Sequence, residues 1–246
     1  MQLTGGYLGA AYSATPFQAG PTPIPNLHPH AALGSAEQAR HLNTLTKLNR
    51  NFRERYKAES ALTARLRAYE LAARMHLSAP EAVDFSDKPV HVKELYGIDE
   101  KETDDFGKQL LLARRLAERG VRFIQIYHGG GGNGKWDAHG DINSHAPLCR
   151  QTDKPIAGLI RDLKQRGMLD STLVVWTSDF GRTPWLQNTI SRDHNPRGFT
   201  SWLAGGSVKG GTVYGNTDEV GYRAVEKPHY IADLQSTILH QLGLDA

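Results

Sequence analysis

At 246 residues, with 39% hydrophobic and 22% charged residues, the chain is long enough to bury a sizeable core, and its composition is globular rather than disordered. A net charge of +3 gives no argument for nucleic acid or anionic lipid, and no apolar run approaches the ~18 residues of a membrane helix. The single cysteine, Cys149, excludes an intramolecular disulfide and a multi-cysteine zinc site.

Residues 1–35 carry Gly5-Gly6, Pro16, Gly20, Pro21, Pro23, Pro25 and Pro29, which deny any regular element, so little regular structure is expected there. The opening residues have neither the basic stretch nor the apolar run of a secretory signal. A helix is expected over 36–57, where Leu42, Leu45, Leu48, Phe52 and Tyr56 recur at three- and four-residue steps. A second spans about 60–77, closed by Ser78 and Pro80. Between Glu37 and Arg74 nine Lys/Arg face four Asp/Glu, an excess read as the solvated faces of these helices rather than as a nucleic-acid module. A third helix runs from Asp104 to Arg119, acidic at its start, with Gly120 at the position of a left-handed cap.

Near residue 120 the pattern changes, dividing an irregular and helical region, 1–120, from an α/β region, 121–246. Val121-Arg-Phe-Ile-Gln-Ile-Tyr127 is rich in β-branched and aromatic residues and reads as a strand. Ile156, Leu159, Ile160 and Leu163 mark a helix with Pro155 in its first turn and Gly167 at its end. Thr172-Leu-Val-Val-Trp-Thr177 is a near-continuous apolar run, as in a strand covered on both faces. The order strand, helix, strand predicts a right-handed βαβ unit with parallel strands. A third strand is expected near Phe199–Ala204, and Ile231, Leu234, Ile238 and Leu242 mark a closing helix. Three strands make a narrow sheet, so either the helical half is a cap or further strands complete it from outside this chain.

Ligands of parallel sheets bind beyond the carboxyl ends of the strands. The loops after Tyr127 and after Thr177 would share that edge, bringing Asp137, His139 and Asp179 to one rim. Asp137 and His139 are two residues apart, so an extended segment turns both side chains to one face. The competing reading of an Asp-x-His in a glycine-rich loop is turn chemistry. Arg192-Asp193-His194 adds a third polar group, and two imidazoles with carboxylates suit zinc or a similar first-row ion, whereas oxygen-only sets suit calcium or magnesium. Gly129-x-x-x-x-Gly134-Lys135 matches most of a phosphate-binding loop, but Trp136 stands where that motif needs Ser or Thr, and no helix start follows. Arg182 and Arg192 are candidate anion clamps, with a salt bridge to a nearby Asp as the alternative. His128 is within reach of the rim but reads as a packed strand-end residue, and His145 lies too far along. Ser178 and Thr183 are nearby hydroxyls without a recognisable base partner.

Trp136-Asp-Ala-His139-Gly, then Thr172-Leu-Val-Val-Trp-Thr-Ser-Asp179-Phe-Gly-Arg-Thr-Pro184, then Arg192-Asp-His194 resemble the bacterial family called domain of unknown function 1501. The resemblance extends over nearly the whole chain, including Gly205–Thr212 and Thr217–Val225. It implies a sulfatase-like member of the alkaline phosphatase superfamily, with a parallel sheet flanked by helices and hydrolysis of sulfate or phosphate esters at one or two divalent ions. The ion would be zinc, calcium, magnesium or manganese. By this resemblance Asp137, His139 and His194 hold one ion, Asp179 matches the acidic residue of a second, and Arg182 and Arg192 orient a small anionic ester. It also implies an exported or periplasmic setting. Phe180 departs from the superfamily pattern, in which His or Asn follows the aspartate. The segment that supplies the superfamily's nucleophile has no counterpart here, so the chain is expected to be a C-terminal portion with weak or no esterase activity. A non-catalytic metal- or anion-binding protein of the same fold is the alternative.

Overall fold

The computed structural model describes residues 14, 16, 34–56, 84–85, 88–129 and 136–244. The chain forms two compact units, Met1–Val90 and His91–Ala246. In the first, α1 (Ser35–Arg55) occupies the span its periodicity marks. Its Leu45, Leu48 and Phe52 are exposed. The irregular segment expected at the N-terminus and the helix expected at 60–77 fall outside the described residues.

The second unit is built on helices. A short helix, α2 (Val90–Tyr96), leads through a turn at Gly97 into α3 (Asp104–Glu118), which packs on α4 (His145–Gln165). Leu110, Leu111 and Leu112 of α3 and Leu148, Leu159 and Leu163 of α4 are buried. So α3, though it lies before residue 120, belongs to the same compact unit as the α/β region. Asp104 and Asp105 sit at its positive end, and Gly120 takes the left-handed conformation (φ 86°) just past its C-terminus.

Helix α4 begins ten residues before the expected start. Leu148, Thr152, Pro155, Leu159 and Leu163 form one buried stripe at three- and four-residue steps, so Pro155 lies inside the helix. Its ring is fully buried, and the apolar contact offsets the ladder hydrogen bond that proline lacks. Two glycines let backbones approach closely. A Cβ at Gly107 would stand 2.3 Å from the Tyr96 carbonyl oxygen, and one at Gly158 2.3 Å from that of Leu95. Tyr96, fully buried, donates its hydroxyl to Asp162 Oδ2 at 2.9 Å. Arg114 Nε lies 2.9 Å from the same oxygen as an ion pair, but its N–H is not aimed to form a hydrogen bond. Arg166 Nε donates to Asp162 Oδ1 at 2.7 Å. Burial and the adjacent carboxylate push the Tyr96 hydroxyl pKa far up, so the phenol stays protonated.

Among the described residues the strands form three two-stranded ladders, all antiparallel: β1 (Leu173–Trp176) with β4 (Trp202–Gly205), β2 (Gly181–Arg182) with β3 (His194–Asn195), and β5 (Asn216–Thr217) with β6 (Ala224–Glu226). This corrects the expected βαβ unit with its parallel sheet. Val121–Tyr127 has no regular secondary structure and joins none of these ladders, with Phe123 and Tyr127 exposed. It is held by its flanks instead: Val121 N closes the end of α3 on Leu116 O, and Arg122 Nη2 donates to Leu242 O. Leu242 follows α5 (Ile231–Gln241), the closing helix expected from the apolar periodicity. The fold is thus mixed α/β with small antiparallel sheets. No helix among the described residues is long and apolar enough to cross a membrane.

Candidate metal centre

The short pair β2–β3 sets the site. Antiparallel register places Arg182 opposite His194, and directly opposed residues put their side chains on the same face. Gly181 is required at this crossing, because a Cβ there would stand 2.4 Å from the Gly198 carbonyl oxygen. Arg182 Nη2 donates both to the Trp136 carbonyl and to Asp137 Oδ1, each at 2.9 Å, tying the first polar loop to the strand pair. The same Trp136 carbonyl accepts from His145 Nε2 at 2.8 Å.

Around Asp137 the expected ligands converge. His194 Nε2 lies 2.7 Å from Asp137 Oδ1 and His139 Nε2 lies 3.0 Å from it. The two imidazole Nε2 atoms are 3.0 Å apart. The three residues each offer one ligand atom to a common point, although His194 is separated from His139 by 55 positions of chain. All three side chains remain open to solvent, between 38% and 49% exposed. The hydrogen bond from His194, and next that from Arg182, hold the Asp137 carboxyl down at about 2, so it is ionised throughout the neutral range.

This donor set fits a divalent first-row ion. In a four-coordinate zinc site the bonds are about 2.0–2.2 Å, which puts neighbouring ligand atoms roughly 3.3–3.6 Å apart, a few tenths of an ångström beyond the present spacing. Two imidazole nitrogens with one carboxylate also suit zinc or its first-row neighbours better than calcium or magnesium.

The other sequence candidates are placed differently. Asp179 is outside this group of three: its Oδ1 accepts from Ser178 Oγ at 3.1 Å and from the Phe180 amide at 3.0 Å, which shapes its own turn. Phe180 packs on the His194 ring with centroids 4.1 Å apart. Arg182 donates through both Nη atoms to protein acceptors, Nη1 to the Arg192 carbonyl and Nη2 to Trp136 and Asp137. The salt-bridge alternative is therefore what forms at Arg182. Arg192 donates through Nη1 to the Pro184 carbonyl. Neither candidate hydroxyl is directed at the cluster. Ser178 Oγ donates to Asp179 and to the Phe180 carbonyl, and buried Thr183 donates to the Trp185 carbonyl.

His128 is packed, as a strand-end histidine was expected to be. Trp136 Nε1 donates to its Nδ1 at 2.9 Å, and an indole N–H can only donate. The Nδ1 is therefore the lone pair, and Nε2 carries the proton toward Gln151 Oε1 at 3.2 Å. The ring also meets Phe106 edge-on at 4.7 Å. What sequence reasoning missed is the turn between β2 and β3. Ser191, completely buried, donates its hydroxyl to the Ala138 carbonyl at 2.6 Å, and Gln187 Oε1 contacts His139 Nδ1 at 2.9 Å. Only Asn188, in the left-handed region at φ 59°, gave a signal of a tight turn there.

The family model described as "Protein of unknown function (DUF1501)" matches residues 1–246, and the chain belongs to that family. No curated protein and no solved structure is matched by it.

Proposed function

We propose that Asp137, His139 and His194 hold one divalent ion of the zinc class, at a site that hydrolyses sulfate or phosphate esters. The observation that carries this reading is the convergence of the three ligand atoms within 2.7–3.0 Å from segments distant in sequence. Resemblance of the motifs to the sulfatase-like branch of the alkaline phosphatase superfamily supports the ester chemistry. When bound, the ion supplies Lewis acidity toward an ester oxygen. The chain's own residues hold the reacting group in place. Arg182 fixes the Asp137 carboxylate and brings a guanidinium to the cluster. The open faces of the three ligand side chains leave room for that ester.

A second reading, a metal- or anion-binding protein without turnover, is favoured by one observation: Ser178 and Thr183 both spend their hydroxyls within their own turns. One experiment separates the two readings. Calorimetric titration with zinc, manganese, calcium and magnesium should give a single zinc site that His194→Ala abolishes. Assays on aryl sulfate and aryl phosphate follow with the loaded protein. Turnover lost in His194→Ala supports hydrolysis, and stoichiometric binding without turnover supports the second reading. Absence of binding by any of the four ions rejects the metal site in both readings.

A further inference from the structure

The turn between β2 and β3 grips the ligand loop at four points. Gln187 Oε1 meets His139 Nδ1 at 2.9 Å, and Asn188 Nδ2 donates to the His139 carbonyl at 3.4 Å. Buried Ser191 donates to the Ala138 carbonyl at 2.6 Å, and Ile142 N donates to Ile190 O at 3.1 Å. The turn itself is closed by Gln187 N on Ser191 O at 2.8 Å. Three of these contacts address the loop's backbone. Gln187 alone addresses a ligand ring.

We infer that Gln187 is the positioning residue of the centre, fixing which nitrogen of His139 faces the ion. An amide oxygen can only accept, so its partner Nδ1 carries the ring proton. A neutral imidazole holds one proton, so Nε2 is left as a lone pair. That atom is the one 3.0 Å from both Asp137 Oδ1 and His194 Nε2. The opposite tautomer would point an N–H at the ion and a lone pair at the Gln187 oxygen, losing both interactions. Partners of this kind typically change metal affinity by about 10–100-fold when removed. His139 has particular need of one. It is followed by Gly140, lies in a segment with no regular structure, and its ring is partly exposed, with the His194 ring 4.7 Å away on its other side, so Gln187 is the contact that addresses Nδ1.

The inference rests on the proposed metal site, but one of its tests does not. In chelator-treated protein with 15N-labelled histidine, long-range 1H–15N spectra at pH 8 should show His139 mainly as the Nδ1–H tautomer. Gln187→Ala, and Gln187→Met of similar length but without the acceptor, should shift it toward Nε2–H. Gln187→Glu should restore the wild-type form. Zinc affinity should fall about 10–100-fold in the Ala and Met variants and return in the Glu variant, with thermal unfolding of the metal-free proteins unchanged. A wild-type tautomer in Gln187→Met, or zinc affinity within about twofold of wild type, overturns the assignment. Failure of wild-type protein to bind zinc would reject the metal site while the tautomer spectra still decide what Gln187 does.

Discussion

Asp137 Oδ1 receives contacts from His194, Arg182 and His139 at 2.7, 2.9 and 3.0 Å, three groups able to carry positive charge or donate a proton. That crowding is why its carboxyl is held at about 2, below the usual 3.8. A folded pKa lower than the unfolded one contributes stability that is present above about pH 4 and lost as pH falls through about 2. Carbon NMR titration of the Asp137 carboxyl should therefore give a midpoint near 2, and Arg182→Met should raise it toward the ordinary range. A wild-type midpoint at or above the ordinary value would mean that the contacts do not persist in solution. The same sign sets the pH dependence of metal binding. Asp137 stays ionised between pH 8 and 5, so protonation of its carboxyl does not weaken zinc binding in that range.

At the scale of elements, the helical core depends on how closely α4 and α3 approach the end of α2. Replacing Gly158 with alanine gains up to about 1 kcal/mol of helix propensity. The added Cβ, however, would lie 2.3 Å from Leu95 O, a backbone atom that cannot swing away. Overpacking of this kind costs about 1–3 kcal/mol or more, so net destabilisation is expected. Urea unfolding of Gly158→Ala should show a lower midpoint than wild type, whereas Gly140→Ala, with open space around the position, should not. Helix α1 was legible in the sequence from its apolar periodicity, and α3 from its end signals, an acidic start and a glycine cap. The start of α4 was not, because Pro155 looks like a first-turn residue and only burial of the whole 148–163 stripe makes an interior proline acceptable. The segment 121–127 has strand composition, but composition does not choose a partner. The edge of β1 is taken by β4, which the intervening β2–β3 hairpin returns antiparallel.

For the molecule as a whole, the ligand set lies entirely within the unit His91–Ala246 and joins its two polar loops. Asp137, His139 and His194 were readable in advance because metal chemistry restricts residue types so strongly. The expected route to their meeting, a parallel sheet edge, was not the one taken. An antiparallel pair only two residues long brings His194 across, and Gln187 carries no sequence mark because an amide serves many roles. An ion held at this point would bind the folded unit and not the unfolded chain, whose ligands are dispersed. Free zinc at 100 times its Kd should then stabilise the unit by about 2.7 kcal/mol. For a unit of this size that corresponds to a rise in Tm of about 5–10 °C. Differential scanning calorimetry with and without zinc measures it directly. His194→Ala should melt at one temperature in both conditions, and chelator should return wild type to its metal-free Tm. An unchanged wild-type Tm at saturating zinc would show that the three ligand atoms meet without forming a site.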